Sequence, residues 1–151
     1  MSFGKPRRLD WVFQKYEPPL YFVTFCTVQR RNILANHAVF AAFREYAEEG
    51  VNRGVAVGRY VIMPDHIHLF VRGSGDFVLG SWVAGLKRVV AAAVTGGRSI
   101  WQRGFFDHLI RNSESYSQKW DYVRQNPVRA GLVSNADDWP FQGEVILIAH
   151  D

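Results

Sequence analysis

The sequence has little of what a secreted, disulfide-bonded or membrane protein needs. It contains a single cysteine, Cys26, among 151 residues, which excludes an internal disulfide and a thiolate-based zinc site. No apolar run approaches the roughly 18 residues of a membrane-spanning helix. The basic N-terminus is not followed by the apolar stretch of a signal peptide. These absences predict a cytoplasmic protein with no membrane partner, in which Cys26 is a small core residue.

Basic residues are absent from the end of the chain. All 18 Lys and Arg residues lie at or before Arg129, whereas residues 130–151 carry four acids and no base. The net charge of +4 therefore understates how basic the rest of the chain is. Such a surface typically meets phosphate, although a solvated basic face would account for the charge equally well. The ordinary globular composition predicts one domain over residues 1–151.

Apolar periodicity and turn residues divide the chain into seven main elements. The predicted elements are a strand at 20–28, a helix at 36–52, a hairpin of strands 55–63 and 66–72, a helix at 79–94, a strand at about 104–110, and a helix that opens at Asn112 and stops at Asn126-Pro127. The order β-α-β-β-α-β-α predicts an α+β fold of the ferredoxin-like split βαβ type, with a four-stranded antiparallel sheet and its helices on one face. Residues 1–19 are predicted to be an irregular basic arm, and residues 128–151 a C-terminal wrap anchored by Trp139 and Phe141.

Two histidines stand on one face of the second hairpin strand. Strand side chains alternate, so His66 and His68 point the same way while Ile67 points into the core with Leu69 and Val71. Imidazoles at this spacing can share one metal ion, although two half-exposed histidines without a role would give the same pattern. Two histidines leave a metal ion short of ligands, so a further donor must come from elsewhere.

The last helix carries a tyrosine outside its buried stripe. Tyr116, Trp120 and Val123 recur at helical spacing and predict the buried side, and Tyr122 falls roughly 100–120° away from them. Asn126 follows four residues later, on nearly the same face as Tyr122. A tyrosine beside a metal ion can act as a nucleophile, and an amide oxygen suits Mg²⁺ or Mn²⁺. Taken alone, a half-exposed aromatic residue is the simpler reading of Tyr122.

Together these motifs resemble a known family. PDHIHLF around the histidine pair, followed by WDYVRQNPVRAGLV around the tyrosine, resembles the single-tyrosine HUH transposases, and in particular the REP-associated tyrosine transposases. The stretches YFVTFCTVQRR, IWQRGFFDHLIRNSESY and DWPF extend the resemblance over about residues 18–142.

The resemblance implies a ferredoxin-like fold and a divalent metal, Mg²⁺ or Mn²⁺. It implies cleavage and rejoining of single-stranded DNA beside a hairpin through a 5′-phosphotyrosine. It would make His66, His68 and Asn126 the metal ligands and Tyr122 the nucleophile. Some relatives carry Gln at the Asn126 position. The short connection before the tyrosine helix favours a tyrosine that acts in its own subunit, in either a monomer or a homodimer.

Four basic residues are candidates for phosphate contacts. Lys87 and Arg88 interrupt an otherwise apolar helix and predict an exposed basic stripe, and Arg7 and Arg8 lie in the basic arm. His108, in the fourth predicted strand, is more simply a structural residue, although it could lie near the site.

Three other functions fit the same sequence. A nucleic-acid-binding module without chemistry would share the fold, but the Gly-aromatic signature of RNA-recognition domains is not clear here. A small metal-dependent hydrolase would use only His66 and His68 and leave Tyr122 idle. A domesticated transposase would keep the chemistry and lose mobility in the cell.

Overall fold

The structure is a computed structural model of the chain. It describes the backbone of Arg7 and Arg8 and residues 18–96 and 98–148. Within these residues none of the helices is long and apolar enough to cross a membrane.

A five-stranded antiparallel sheet forms the centre of the structure. The elements in chain order are β1 (Arg7–Arg8), β2 (Leu20–Cys26), α1 (His37–Val51), β3 (Val55–Ile62), β4 (His66–Gly73), α2 (Leu79–Thr95), β5 (Phe106–Ile110), α3 (Ser113–Val123), α4 (Asn126–Arg129), β6 (Gln142–Glu144) and β7 (Ile146–Leu147). The strand order is β5-β2-β4-β3-β6, and every neighbouring pair is antiparallel. The predicted ferredoxin-like α+β fold is confirmed.

One side of the sheet, the helix-covered face, holds most of the apolar core. Ile67, Leu69 and Val71 of β4 point to this side and are fully buried. Helix α1 packs here through Phe43, whose ring lies 4.5 Å from that of Tyr60 on β3. The helix begins where expected, because the Asn36 side chain accepts a hydrogen bond from the Val39 backbone N–H as an N-cap. Helix α2 lies beside α1 in the same layer.

The opposite side, the site face, carries the alternate residues of the same strands. Helix α3 lies on it, with the Tyr116 ring 4.5 Å from the Phe70 ring. Tyr116 can approach because Gly58 has no side chain: a Cβ atom there would stand 2.9 Å from the Tyr116 hydroxyl. The neighbouring Arg59 backbone N–H donates a hydrogen bond to that hydroxyl over 3.5 Å. The helices therefore occupy both faces, and the expectation of helices on one face is wrong.

The predicted sheet of four strands gains a fifth from the C-terminal segment. β6 pairs with β3 from Arg59 to Val61. Just before β6 in the chain, the Trp139 indole N–H donates a hydrogen bond of 3.0 Å to the Ile62 carbonyl at the end of β3. Strand β6 was missed because three residues with two polar members carry no apolar alternation. In the basic arm, β1 pairs in parallel with β7. Residues 1–6 and 9–17 lie outside the described part of the chain.

Candidate active site

The histidine pair lies on the site face, as strand alternation requires. His66 and His68 point away from the buried Ile67, and their ring centroids are 4.6 Å apart. The His68 ring also stacks on Phe22 of β2, with centroids 5.3 Å apart. The two imidazoles are therefore close enough to face a common ion or phosphate.

Each imidazole has a partner at its Nδ1 atom. His66 Nδ1 lies 2.7 Å from a carboxylate oxygen of Asp65, and His68 Nδ1 lies 2.7 Å from the Thr24 hydroxyl. When Nδ1 carries the proton and donates it to the oxygen, the Nε2 lone pair remains available for a metal ion. Such outer partners fix the ring orientation and tautomer of metal-binding histidines.

Both histidines favour the neutral form that metal binding requires. Burial, together with the nearby charges of His66, Lys119, Arg129 and Arg30, lowers the pKa of His68 to about 3. Burial also lowers the pKa of His66, although the Asp65 carboxylate opposes this shift. The pair is thus uncharged near neutral pH.

Arg30 completes the surroundings of His66. Its Nε donates to Asp65 over 2.8 Å, and its Nη2 lies 3.2 Å from His66 Nδ1. Arg30 and Gln29 both have positive φ angles, of 51° and 56°, a left-handed conformation that is uncommon outside glycine. This turn directs the Arg30 guanidinium to the histidine end of the site face.

Tyr122 is exposed at the end of α3, with 65% of its surface accessible. Helix α3 ends at Val123, and Asn126 opens the separate short helix α4. The expectation that Tyr122 and Asn126 share one helix is therefore wrong, since Pro127 has no backbone N–H with which to continue the hydrogen bonds of α3. Arg129 nevertheless brings them together: its guanidinium lies 4.0 Å from the Tyr122 ring centroid and donates to the Asn126 side-chain oxygen.

The residues on this face fit a divalent metal ion in part. Two neutral imidazoles supply two nitrogen ligands, a set that Mn²⁺ tolerates better than Mg²⁺ does. In the described part of the chain, no group of three or more His, Cys, Asp or Glu side chains could hold a metal. A third protein ligand would be an amide such as that of Asn126. Its oxygen accepts a hydrogen bond from Arg129 and would have to be released first.

The basic candidates Lys87 and Arg88 lie elsewhere, on the helix-covered side. They line a cleft of about 700 Å³ between α2 and residues 99–103, together with Arg103 and Trp101. The Lys87 ammonium is partly engaged, since it donates to the backbone carbonyls of Gln102 and Gly104 over 3.1 and 2.9 Å. We call this surface the basic cleft.

Arg7 and Arg8 form β1, and their side chains are not part of the description.

Lys119 and Arg129 lie near Tyr122 and were not singled out from the sequence. His108, which the sequence analysis left as a structural residue that could lie near the site, is exposed on β5 and lines a cavity with Lys119 and Tyr122. Lys119 and Arg129 lie close enough to His68 to affect its pKa. The pairing of His108 with Phe22 across the sheet is the signal that could have placed it on this face, but it requires the strand register.

The chain is similar to known transposases throughout its described core. Residues 19–126 match the sequence profile of the IS200-like transposase family. An Escherichia coli K12 REP-associated tyrosine transposase is 31% identical over 72% of this chain and 61% of its own length. A Haemophilus influenzae protein assigned to the same group is 29% identical over 81% of this chain and 77% of its own length.

A solved structure agrees with the sequence matches. The structure of a REP-associated tyrosine transposase bound to a REP hairpin superposes with a TM-score of 0.71 and 26% identity, covering 94% of this chain and 82% of that one. This chain belongs to the IS200-like transposase family. Its resemblance to the REP-associated tyrosine transposases, expected from the motifs, is confirmed. The match spans less than two thirds of the E. coli relative.

Proposed function

We propose that this protein cleaves and rejoins single-stranded DNA next to a hairpin, through a covalent bond between Tyr122 and a 5′-phosphate. The main support is one arrangement: the tyrosine helix lies on the same sheet face as the histidine pair, and Arg129 contacts both Tyr122 and Asn126. The relative solved with a REP hairpin supports hairpin DNA as the partner.

In the proposed reaction, His66, His68 and Asn126 would hold a divalent metal ion. The ion would neutralise charge on the phosphate and polarise the phosphorus. Tyr122 attacks the phosphorus, the bond to the 3′-oxygen breaks, and the proton lost by the phenol balances the one gained by the leaving 3′-hydroxyl. The ester keeps the bond energy, so a 3′-hydroxyl can reverse the step without ATP.

The chain's own cations act on the same phosphate. Lys119, Arg129 and Arg30 all lie near the histidine pair, and each can bind a non-bridging phosphate oxygen. The imidazole ligands favour Mn²⁺ as the more effective ion. Because α3 begins three residues after β5 ends, we propose that Tyr122 acts on DNA held by its own subunit, whether the protein is a monomer or a homodimer.

We propose further that the basic cleft holds the hairpin backbone. Its three basic side chains, Lys87, Arg88 and Arg103, surround a cleft without an acidic lining residue. Phosphate contacts of this kind position DNA without reading its sequence. Contacts by Arg7 and Arg8, and a cytoplasmic location, remain predictions.

The deciding experiment mixes purified protein with a pool of single-stranded hairpin DNAs and Mn²⁺ and searches for a covalent adduct on a denaturing gel. We expect an adduct from the wild type, none from Tyr122→Phe, and strong loss from His66→Ala. Tyr21→Phe serves as the matched control, because Tyr21 lies on the other face of β2.

The other outcomes identify the competing functions. An adduct that persists in Tyr122→Phe would refute the assigned nucleophile. Strand cleavage without an adduct, unchanged in Tyr122→Phe, would favour a metal-dependent hydrolase. Hairpin binding with neither cleavage nor adduct would favour a non-catalytic binding module.

A further inference from the structure

A small cavity opens beside Tyr122, between β5 and α3. Its volume is about 300 Å³, and it is lined by His108, Ile110, Ser115, Gln118, Lys119 and Tyr122. Tyr122 is the proposed nucleophile, so a group bound in this cavity would lie next to the attacked phosphate. The inference below therefore rests on the proposed function and concerns what surrounds the scissile bond.

The size and surfaces of the cavity suit a single flat ring system. Cavities that hold small ligands begin at about 300 Å³, which leaves room for one nucleoside-sized group and not for a duplex. Ile110 forms the apolar floor of the cavity and is only 7% exposed. The exposed rings of His108 and Tyr122 stand at the rim, where an unpaired base can stack on either.

Polar groups line the helix side of the cavity. The Gln118 amide N–H donates to Glu114 over 3.2 Å, which orients the amide and leaves its oxygen and a second N–H unused by that bond. A side-chain amide can make two hydrogen bonds to the edge of a base. Ser115 adds a hydroxyl that can donate or accept. The cavity therefore offers both stacking and edge recognition.

Lys119 connects the cavity to the histidine pair. Its ammonium lies 5.2 Å from the Phe22 ring centroid, and Phe22 in turn stacks on His68. A cation at this point can bind the backbone phosphate of a nucleotide whose base occupies the cavity. Gln118 and Lys119, which are neighbours on α3, could therefore contact the base and the phosphate of the same nucleotide.

We propose that this cavity receives one unpaired nucleobase adjacent to the scissile phosphate, and that Gln118 selects its identity. The base stacks at the His108 and Tyr122 rim, and Gln118 hydrogen-bonds its edge. The site would then read one position of the single-stranded flank directly, separately from the hairpin.

The test measures binding without metal, so it needs no cleavage. Hairpin DNA with a randomised single-stranded flank is incubated with the wild-type protein, and the bound fraction is sequenced. We expect enrichment of one base at a single flank position. Replacing that base by an abasic site should weaken binding roughly tenfold or more, as loss of one stacked base does.

Gln118→Leu provides the decisive comparison. Gln118 is exposed, so the variant should fold normally. We expect it to lose the base preference and to retain the abasic penalty. Gln125→Leu is the matched control, because Gln125 does not line the cavity, and it should keep the wild-type preference.

Two results would overturn the inference: no positional enrichment in the wild type, or an unchanged preference in Gln118→Leu. Failure of the proposed function is recognised separately, as the absence of any Mn²⁺-dependent adduct with the enriched DNA.

Discussion

Adjacent residues of strand β4 have different roles, because they point to opposite faces of the sheet. Ile67 and Leu69 are fully buried beneath α1 and α2, whereas His66 and His68 point to the side where a polar network and Tyr122 lie. The same eight-residue strand therefore supplies the core and the candidate metal ligands. The difference shows that stability and chemistry can be assigned to alternate positions of one backbone.

The site face is itself divided. At one end Tyr116 covers Phe70 and both are buried. At the other end, Lys119 and Arg129 lie near His68 and also near the exposed Tyr122. Among the described residues, this second end of the face is therefore more accessible to a large ligand than the end that Tyr116 covers.

The two faces of β4 should differ most in how much a substitution lowers the free energy of unfolding, which Leu69→Ala and His66→Ala compare. Leu69 is fully buried on the helix-covered face, and its truncation should lower the free energy of unfolding by about 2–5 kcal/mol. His66→Ala removes a side chain at the edge of the core together with its hydrogen bond to Asp65, and should cost only about 0.5–1.5 kcal/mol. Urea unfolding followed by circular dichroism measures both. Equal losses would mean that the histidine face also carries the core.

The buried tyrosines on the two faces should destabilise the fold in alkali. Burial raises the pKa of Tyr60 to about 12, and also that of Tyr116 to about 12, from an ordinary value of 10. The unfolded chain loses these protons first, so the free energy of unfolding should fall as the pH rises from about 10 to about 12, by about 2–3 kcal/mol for each tyrosine.

Unfolding titrations across this pH range provide the measurement. Tyr60→Phe and Tyr116→Phe should each flatten the pH dependence by a similar amount, since the two tyrosines are similarly buried. A steep slope that survives in the double variant would contradict the assignment. A much weaker effect of Tyr116 would mean that the covered end of the site face admits solvent.

Asp65→Asn tests the outer partner of His66. The asparagine oxygen can still accept a hydrogen bond from Nδ1, so the change removes charge with little change in shape. We expect Mn²⁺ affinity to fall about 10–100-fold, the usual effect of losing such a partner. Electron paramagnetic resonance titration of free Mn²⁺ measures it. Asp137→Asn, an exposed carboxylate paired with Arg124, should leave the affinity unchanged.

The smallest effect concerns the basic cleft on the helix-covered side. Arg88→Gln should weaken hairpin binding for all sequences alike and reduce the slope of log affinity against log salt by about 1. Fluorescence anisotropy at several salt concentrations gives this slope. Arg53→Gln, outside the cleft, is the control. An unchanged slope in Arg88→Gln would remove the cleft from the proposed DNA path.

Local patterns predicted the fold well where one element buries one stripe or one face. A β-rich composition interrupted at Pro64-Asp65 identified β3 and β4, and the Asn36 cap identified the start of α1. The buried stripe of α3, including Tyr116 and Val123, also agrees with its spacing. These features depend on neighbours within a few residues, which the sequence displays directly.

Long-range arrangements were not predictable in the same way. The position of α3 on the site face depends on the gap above Gly58, and the fifth strand depends on the edge that β3 leaves open. The surroundings of Tyr122 combine His108 from β5 with Arg129 from α4. No spacing rule links these residues, because their proximity results from sheet register and from the break between α3 and α4.

Because Tyr116 packs closely against Gly58, a substitution at position 58 on β3 could change the orientation of α3 and so the position of Tyr122. Tyr122 lies six residues beyond Tyr116, about 9 Å further along the helix axis. A methyl group at position 58 would press on the Tyr116 hydroxyl. Because a helix moves as a rigid rod, a small tilt there becomes a larger displacement of Tyr122. If the protein has the proposed function, selection for faster or slower strand cleavage could act on β3 and leave every proposed DNA-contacting residue unchanged.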